Sequence, residues 1–214
     1  MFYECKKLTS FDKDVSNCTN IDYMFSHSGI TSYNYNFPLV TTANQPFKSA
    51  KITSITGDLT NLTNQTQFFE NSDLVSFDLD TPNITNTDSM FTYCDSMKTC
   101  TANISKVTKA NYMFQSCNVL TDLTLTVDSE FTAINMFYMC NRLKNVTIKG
   151  TLNASSLDFS SSFYLTVDSV MSIINALADL TGQDSKEIIF GTTLLNQLSE
   201  EQKAVATNKN WILA

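Results

Sequence analysis

The sequence predicts an α/β fold in which coils of about 22 to 23 residues stack into a solenoid with a parallel β-sheet, closed by a C-terminal β-α cap. Three observations support this prediction. Apolar residues recur at a constant long period, apolar and polar residues alternate within each period, and the pattern changes after residue 150. A fixed period of this length is typical of repeat proteins, in which each unit packs mainly against its neighbours.

Two apolar series set the long period, and they predict about seven coils. The first series advances by 22 residues in the early coils and by 23 in the later ones: Leu8, Ile30, Ile52, Leu74, Met97, Leu120 and Leu143. The second series lies three residues further on: Phe11, Tyr33, Ile55, Phe77, Cys100, Leu123 and Val146.

A short strand is predicted at the second series, because apolar and polar residues alternate there, as in the segment from Leu120 to Leu125. This alternation indicates a strand with one buried and one solvated face. Equivalent strands then stack about 4.8 Å apart as a parallel ladder, whose polar positions form one outer surface. One interpretation is that these positions form only the solvent-exposed face of a sheet. We predict instead that they form a ligand-binding face. The predicted ligand-binding residues are Asp12, Asn34, Asp58, Asp78, Asp80, Thr101, Thr124 and Thr147.

A threonine also recurs once per coil, each time after an apolar or cysteine residue. We predict that these side chains are buried and that their hydroxyls bond the backbone of the neighbouring coil, because buried polar groups need partners. The series is Thr19, Thr41, Thr63, Thr85, Thr108 and Thr132.

Segments such as "YMFQSCNVLTDLTL" (112–125) combine Met-Phe, Cys and leucine at fixed spacing. This unit resembles the repeat of BspA-type leucine-rich repeat surface proteins, which are bacterial, and the resemblance covers about residues 1–150. It implies a leucine-rich-repeat solenoid that binds host or surface ligands and does not catalyse a reaction. The copies near Tyr23, Gln45 and Gln67 lack the complete Met-Phe-x-x-Cys set.

Residues 151–214 predict a C-terminal unit of β-α repeats that caps the solenoid of residues 1–150. Short strands are predicted at residues 157–159, 187–190 and 211–213.

Two helices are predicted between these strands. The first begins at Thr166 or Asp168 and ends before Gly182, and the second begins after Ser199. This segment resembles the C-terminal unit of leucine-rich repeat proteins encoded by Gram-positive bacteria and their phages, including tail-associated proteins. The resemblance implies a cell-surface or phage-tail context and no particular chemistry.

The six cysteines look at first like a reactive centre, because Cys5, Cys94, Cys117 and Cys140 share one repeat position. They lack the close C-x₂₋₄-C pairs of metal sites, and stacked side chains in register have poor geometry for disulfides. We therefore predict buried structural thiols, with disulfides between coils or a metal or redox site as the alternatives.

Composition and motifs exclude several functional classes. The net charge of −7 and the scattered Lys and Arg argue against a nucleic-acid partner. No apolar run reaches the ~18 residues of a membrane-spanning helix. The only histidine, His27, has no evident catalytic partner, and no catalytic motif is present. We predict no enzymatic activity, no cofactor and no metal.

The predicted role is a binding module of an adhesin-like cell-surface protein or a phage-tail protein, with a protein or glycan ligand. The predicted location is therefore extracellular, at the cell surface or on a virion tail. The alternative is a structural spacer that presents other domains of a longer chain. The chain begins within the repeat pattern, which predicts an upstream segment, and we predict that the uncovered N-terminal coil supports dimerisation.

Overall fold

The computed structural model describes residues 1–214, with eleven strands and three helices. The strands are β1 (Ser32–Tyr35), β2 (Ser54–Gly57), β3 (Ser76–Asp78), β4 (Thr99–Asn103), β5 (Asp122–Val127), β6 (Glu130–Thr132), β7 (Asn145–Gly150), β8 (Asn153–Ser155), β9 (Leu157–Asp158), β10 (Lys186–Ile189) and β11 (Trp211–Leu213). The helices are α1 (Val167–Ala176), α2 (Thr192–Leu195) and α3 (Glu200–Thr207).

Every pair of neighbouring strands is parallel, and equivalent positions of consecutive coils are aligned. Ser76 pairs with Thr99, Thr99 with Asp122, and Asp122 with Asn145. The predicted register of 22 to 23 residues is therefore confirmed. The ladder is nevertheless divided into the pair β1-β2 and the four-stranded sheet β3-β4-β5-β7.

The first coil differs from the prediction, because no strand forms around Phe11. Lys13 lies at the register position that holds the buried Tyr35 in the next coil, and a charged side chain is not easily buried there. Lys13 is accordingly exposed. This coil packs against the second coil alone, from which Thr31 N donates a hydrogen bond to Thr9 O of the first coil over 3.2 Å.

A column of stacked phenylalanine rings runs through the core, one ring per coil. Neighbouring ring centroids lie 4.5 to 5.8 Å apart, with interplanar angles of at most 18°. Such pairs contribute about 0.5–1.5 kcal/mol each beyond their buried area. The Met-Phe motif was recognised in the sequence, but the continuous column was not predicted. Its members are Phe2, Phe25, Phe47, Phe69, Phe91, Phe114, Phe137, Phe159 and Phe190.

On the side of the coil that precedes each strand, tight turns follow a second parallel ladder, which consists of single-residue bridges and the pair β6-β8. Two residues per coil adopt positive φ, such as Tyr112 and Ser116, both at 58°. Their N–H groups donate to carbonyls of the next coil, at Ile134 over 2.8 Å and at Tyr138 over 2.8 Å. The left-handed conformation costs a non-glycine residue about 1 kcal/mol or more, and these hydrogen bonds between coils offset that cost.

Three of the six threonines form the hydroxyl ladder that the sequence predicts, whereas the hydroxyls of Thr19, Thr41 and Thr132 make no such bond. Thr63 Oγ1 donates to Thr41 O over 3.1 Å, Thr85 Oγ1 to Thr63 O over 2.9 Å, and Thr108 Oγ1 to Thr85 O over 3.2 Å. The prediction that these side chains are buried is wrong. They are exposed or half-buried, because the preceding apolar residue, such as Leu62, occupies the core position.

The three C-terminal strands, β9, β10 and β11, lie within one residue of the predicted ranges. Thr166 is the N-cap of α1 and accepts a hydrogen bond from Ser169 N, and Ser199 caps α3 in a capping box with Gln202. The predicted end of the first helix is wrong, since α1 stops at Ala176 and Gly182 lies in a later turn. The short helix α2 was not predicted.

Helix α1 lies along the edge of the four-stranded sheet, next to β7. Ser169 Oγ accepts a hydrogen bond from Val146 N over 2.9 Å, and Ser172 Oγ accepts one from Ile148 N over 3.0 Å. These two N–H groups point away from β5, so they would otherwise have no partner in the ladder. None of the helices has the length and apolar character that crossing a membrane requires.

Candidate binding surface

The outer face of the parallel strands brings most of the predicted ligand-binding residues together. Asn34 of β1, Asp78 of β3, Thr101 of β4 and Thr147 of β7 occupy the same row of the ladder and are exposed, and Thr124 of β5 is half-buried. The sequence reasoning missed Thr56 of β2 in this row, although it pairs with Asn34 and lies at the same repeat position.

Two further predicted residues, Asp58 and Asp80, lie just beyond the ends of β2 and β3. The Asp58 carboxylate accepts hydrogen bonds from Thr60 Oγ1 over 2.6 Å and from Thr60 N over 2.8 Å, which lower its pKa. Asp80 Oδ1 accepts from Asn103 Nδ2 over 3.3 Å. Asp58 thus stabilises a turn, whereas Asp80 connects two coils across the face.

Asp12 is the predicted residue that the ladder does not include, because its coil forms no strand. It lies beside Lys13, with 3.4 Å between the carboxylate and ammonium groups, and both side chains are largely exposed. A cleft of about 500 Å³ joins Asp12 to Asn34 and Asn36 of the next coil. Asp12 therefore lies near the first strand without being aligned with the others.

A pair at the start of the strands was not among the predicted binding residues. Asn145 Nδ2 donates to Asp122 Oδ1 over 2.7 Å, and Thr121 Oγ1 donates to Asp122 Oδ2 over 2.6 Å. The Thr121 and Asn145 hydrogen bonds lower the pKa of Asp122. The repeat period aligns Asp122 with Asn145, so the sequence contained the signal for this pair.

The outer sheet face is negatively charged, and it presents carboxylates and hydroxyls at neighbouring positions. Asp78 makes no side-chain hydrogen bond and no ion pair within the chain, so its carboxylate is free to accept hydrogen bonds or to meet a cationic group. The hydroxyls of Thr101, Thr124 and Thr147 can donate and accept. Such a surface is suited to the polar groups of a peptide or a sugar.

The cysteine position forms a second regular feature, which is structural. Cys94 Sγ donates to Phe69 O over 3.1 Å, and Cys140 Sγ donates to Phe114 O over 3.0 Å. Cys117 makes the equivalent bond. Burial raises the pKa of the Cys94 and Cys140 thiols to about 12, so they stay protonated near neutral pH.

The prediction of buried thiols is confirmed for Cys94, Cys100, Cys117 and Cys140, and all six thiols are free. It is wrong for Cys5, which is exposed, and for Cys18, which is half-buried, because only one coil packs against the first coil. Nowhere do three or more His, Cys, Asp or Glu side chains approach closely enough to hold a metal ion. The ring of His27 lies edge-on to Tyr3, with 5.5 Å between the ring centroids.

Comparison with known proteins yields one family. The model of the "BspA type Leucine rich repeat region" matches residues 1–98 and 62–175, in six copies of its repeat. No curated protein and no solved structure matches the chain at a significant level.

Proposed function

Because the chain belongs to the BspA-type leucine-rich repeat family, we propose that it is a non-enzymatic binding module of an adhesin-like cell-surface protein or a phage-tail protein. Its ligand is a protein or a glycan at a cell surface, outside the cell. The outer face of strands β1 to β5 and β7 binds this ligand.

One observation carries the proposal: a row of Asn, Thr and Asp side chains, five of them exposed and Thr124 half-buried, crosses six consecutive coils at one register position. Repeat proteins use such rows as extended binding surfaces. The free carboxylate of Asp78 lies in this row beside the Thr101 hydroxyl. A ligand therefore meets an acceptor and a donor on adjacent strands.

The proposal includes a solenoid that the C-terminal unit closes. In support of this, Ser169 and Ser172 of α1 satisfy the N–H groups at the edge of β7. At the other end, Phe2 and Phe11 are only partly buried. We propose that this N-terminal coil mediates dimerisation, which analytical ultracentrifugation of the chain tests.

The second candidate function is a spacer that holds other domains of a longer protein apart. The continuous phenylalanine column from Phe2 to Phe190 favours this function, because stacked rings through every coil make a stiff element. A spacer has no ligand on its polar face, so the two candidates differ in a measurable way.

A glycan and protein array screen tests the proposal. The chain is screened beside a test variant that carries Asp78→Asn, Asp80→Asn and Thr101→Ala. We expect ligands that bind the natural sequence and not the test variant, while the melting temperatures of both proteins stay equal because all three side chains are exposed.

A matched control makes the same changes of charge and size elsewhere, with Asp128→Asn, Asp184→Asn and Thr19→Ala. These side chains are exposed and lie outside the outer sheet face. The control variant should keep every hit. Absence of any hit from folded protein, or equal loss in both variants, would instead favour the spacer.

A further inference from the structure

Three of the seven exposed aromatic side chains lie in the turns of two adjacent coils, together with an exposed methionine. We call this group the aromatic corner: Tyr138, Met139, Arg142, Phe163 and Tyr164. Its four apolar members are between 42% and 66% exposed. Exposed apolar side chains scattered singly are ordinary, whereas several together mark interaction sites. None of these residues belongs to the outer sheet face.

The chain brings these side chains together through its coil stacking. Phe137 and Phe159, which lie in the same two turns, stack with 4.5 Å between ring centroids. The guanidinium of Arg142 lies over the ring of Tyr164, 5.7 Å from its centroid. Ser116 Oγ approaches Met139 Sδ at 3.8 Å from the preceding coil. Two neighbouring coils therefore contribute the corner, and contacts between coils hold Met139, Arg142 and Tyr164 above the stacked rings.

A small cleft adjoins the aromatic corner and provides a concave site beside it. The cleft has a volume of about 120 Å³ and lies between Phe163 and the side chains of Phe190 and Leu194. Its walls are apolar on these sides, and Ser160 and Thr192 add polar groups at the rim. A cleft of this size accommodates one apolar side chain of a partner, which is the usual form of an interface anchor.

The charge of the corner is opposite to that of the molecule. The chain carries a net charge of −7, and Arg142 is its only arginine. No carboxylate of the chain forms an ion pair with Arg142, whose guanidinium is held in place by the Tyr164 ring. An aromatic ring beneath a guanidinium leaves its N–H groups free to bind a carboxylate from outside.

We propose that the aromatic corner docks a segment of a partner protein that carries an apolar side chain for the cleft and a carboxylate for Arg142. A sugar fits less well, because Met139 and Phe163 offer no strong hydrogen-bond groups to replace the water lost from its hydroxyls. Apolar side chains gain from contact with the same atoms.

Selection from a displayed library of random linear peptides tests this proposal on the whole chain. We expect enriched peptides that combine an aromatic or large aliphatic residue with Asp or Glu. The dissociation constants of these peptides should rise about tenfold or more for the double variant Arg142→Gln and Phe163→Ser. The control variant Lys109→Gln and Leu39→Ser removes an exposed cation and an exposed apolar side chain elsewhere, and it should bind as the natural sequence does.

Circular dichroism and melting temperatures establish that both variants are folded. The proposal is overturned if no peptide is enriched, or if Asn and Gln versions of the peptides bind as tightly as the acidic ones. Equal binding to the double variant overturns it too. The proposal is also overturned if glycans on an array bind the natural sequence but not the double variant, and no peptide binds the corner.

Discussion

The coils of residues 28–72 and the coils of residues 94–150 share one phenylalanine column, and their periods of 22 and 23 residues are almost equal, but they satisfy their buried polar groups differently. In the later coils, Cys94, Cys117 and Cys140 bond backbone carbonyls of the preceding coil, and β4, β5 and β7 form a continuous ladder. In the earlier coils the ladder ends after β2, and both amide atoms of the buried Gln65 lack partners.

This difference shows that the apolar period alone does not determine how well a coil is bonded. The stacked rings are equally close in both regions, at 5.7 Å between Phe47 and Phe69 and 5.5 Å between Phe91 and Phe114. What changes is the residue at particular repeat positions: Gln65 occupies a position that Ala110 and Ala133 hold in the later coils. We expect the earlier coils to open more readily, because unpaired buried amides cost free energy.

The largest expected effect comes from a charge placed in the core of the later coils. Leu120→Asp buries an unpaired carboxylate and should lower the free energy of unfolding by several kcal/mol, which approaches the whole stability of a domain. Circular dichroism during heating measures the loss. Leu39→Asp, at an exposed position, should melt as the natural sequence does. A stable Leu120→Asp protein would contradict the packing of this coil.

The phenylalanine column should be equally important in the two regions. Phe47→Ala and Phe114→Ala each remove a fully buried ring and should each cost about 3–5 kcal/mol of unfolding free energy. Urea titration of both variants checks this. Strongly different losses of unfolding free energy in the two variants would contradict this expectation, because they would show that the column does not stabilise both regions equally.

Replacing Gln65 should stabilise the earlier coils, residues 28–72. Gln65→Met removes the unpaired amide while keeping a side chain of similar length, and it should stabilise the protein by about 1–3 kcal/mol. Gln45→Met is the control, since the Gln45 amide bonds Gln67 over 2.6 Å and its loss should not stabilise. Destabilisation by Gln65→Met in urea titrations would mean that the amide is satisfied after all.

The smallest effect concerns thiol reactivity and leaves stability unchanged. Cys5 should react with iodoacetamide in the folded protein because it is exposed, whereas Cys94 and Cys140 should react only after unfolding. Burial excludes the reagent and raises their pKa to about 12, so a rise in pH from 7 to 9 should not label them. Mass spectrometry of the modified peptides measures the rates. Labelling of Cys94 at the rate of Cys5 would contradict its burial.

The period made much of this architecture predictable. Alternation around Leu123 and Val146 identified the buried and outer faces of β5 and β7, and the Ser199 cap identified α3. These features depend on local patterns that a single sequence displays directly. The position of Asp78 on the outer face followed from the same alternation.

Other features depend on neighbours that a local pattern does not describe. The first coil lacks its strand because Lys13 occupies an inward register and only one coil packs against it. The left-handed turns at residues such as Tyr112 depend on hydrogen bonds to the next coil. The aromatic corner escaped notice because Arg142 and Tyr164 become neighbours only when the coils stack.

The central claim is that the outer sheet face binds the ligand, and the dissociation constant of the strongest array hit tests it most directly. We expect that constant to rise about tenfold or more when Asp78, Asp80 and Thr101 are replaced together, because each lost hydrogen bond to a charged or polar partner weakens binding. The control variant at Asp128, Asp184 and Thr19 should bind unchanged. Equal affinities of the two variants would contradict the claim and assign the hit to another surface.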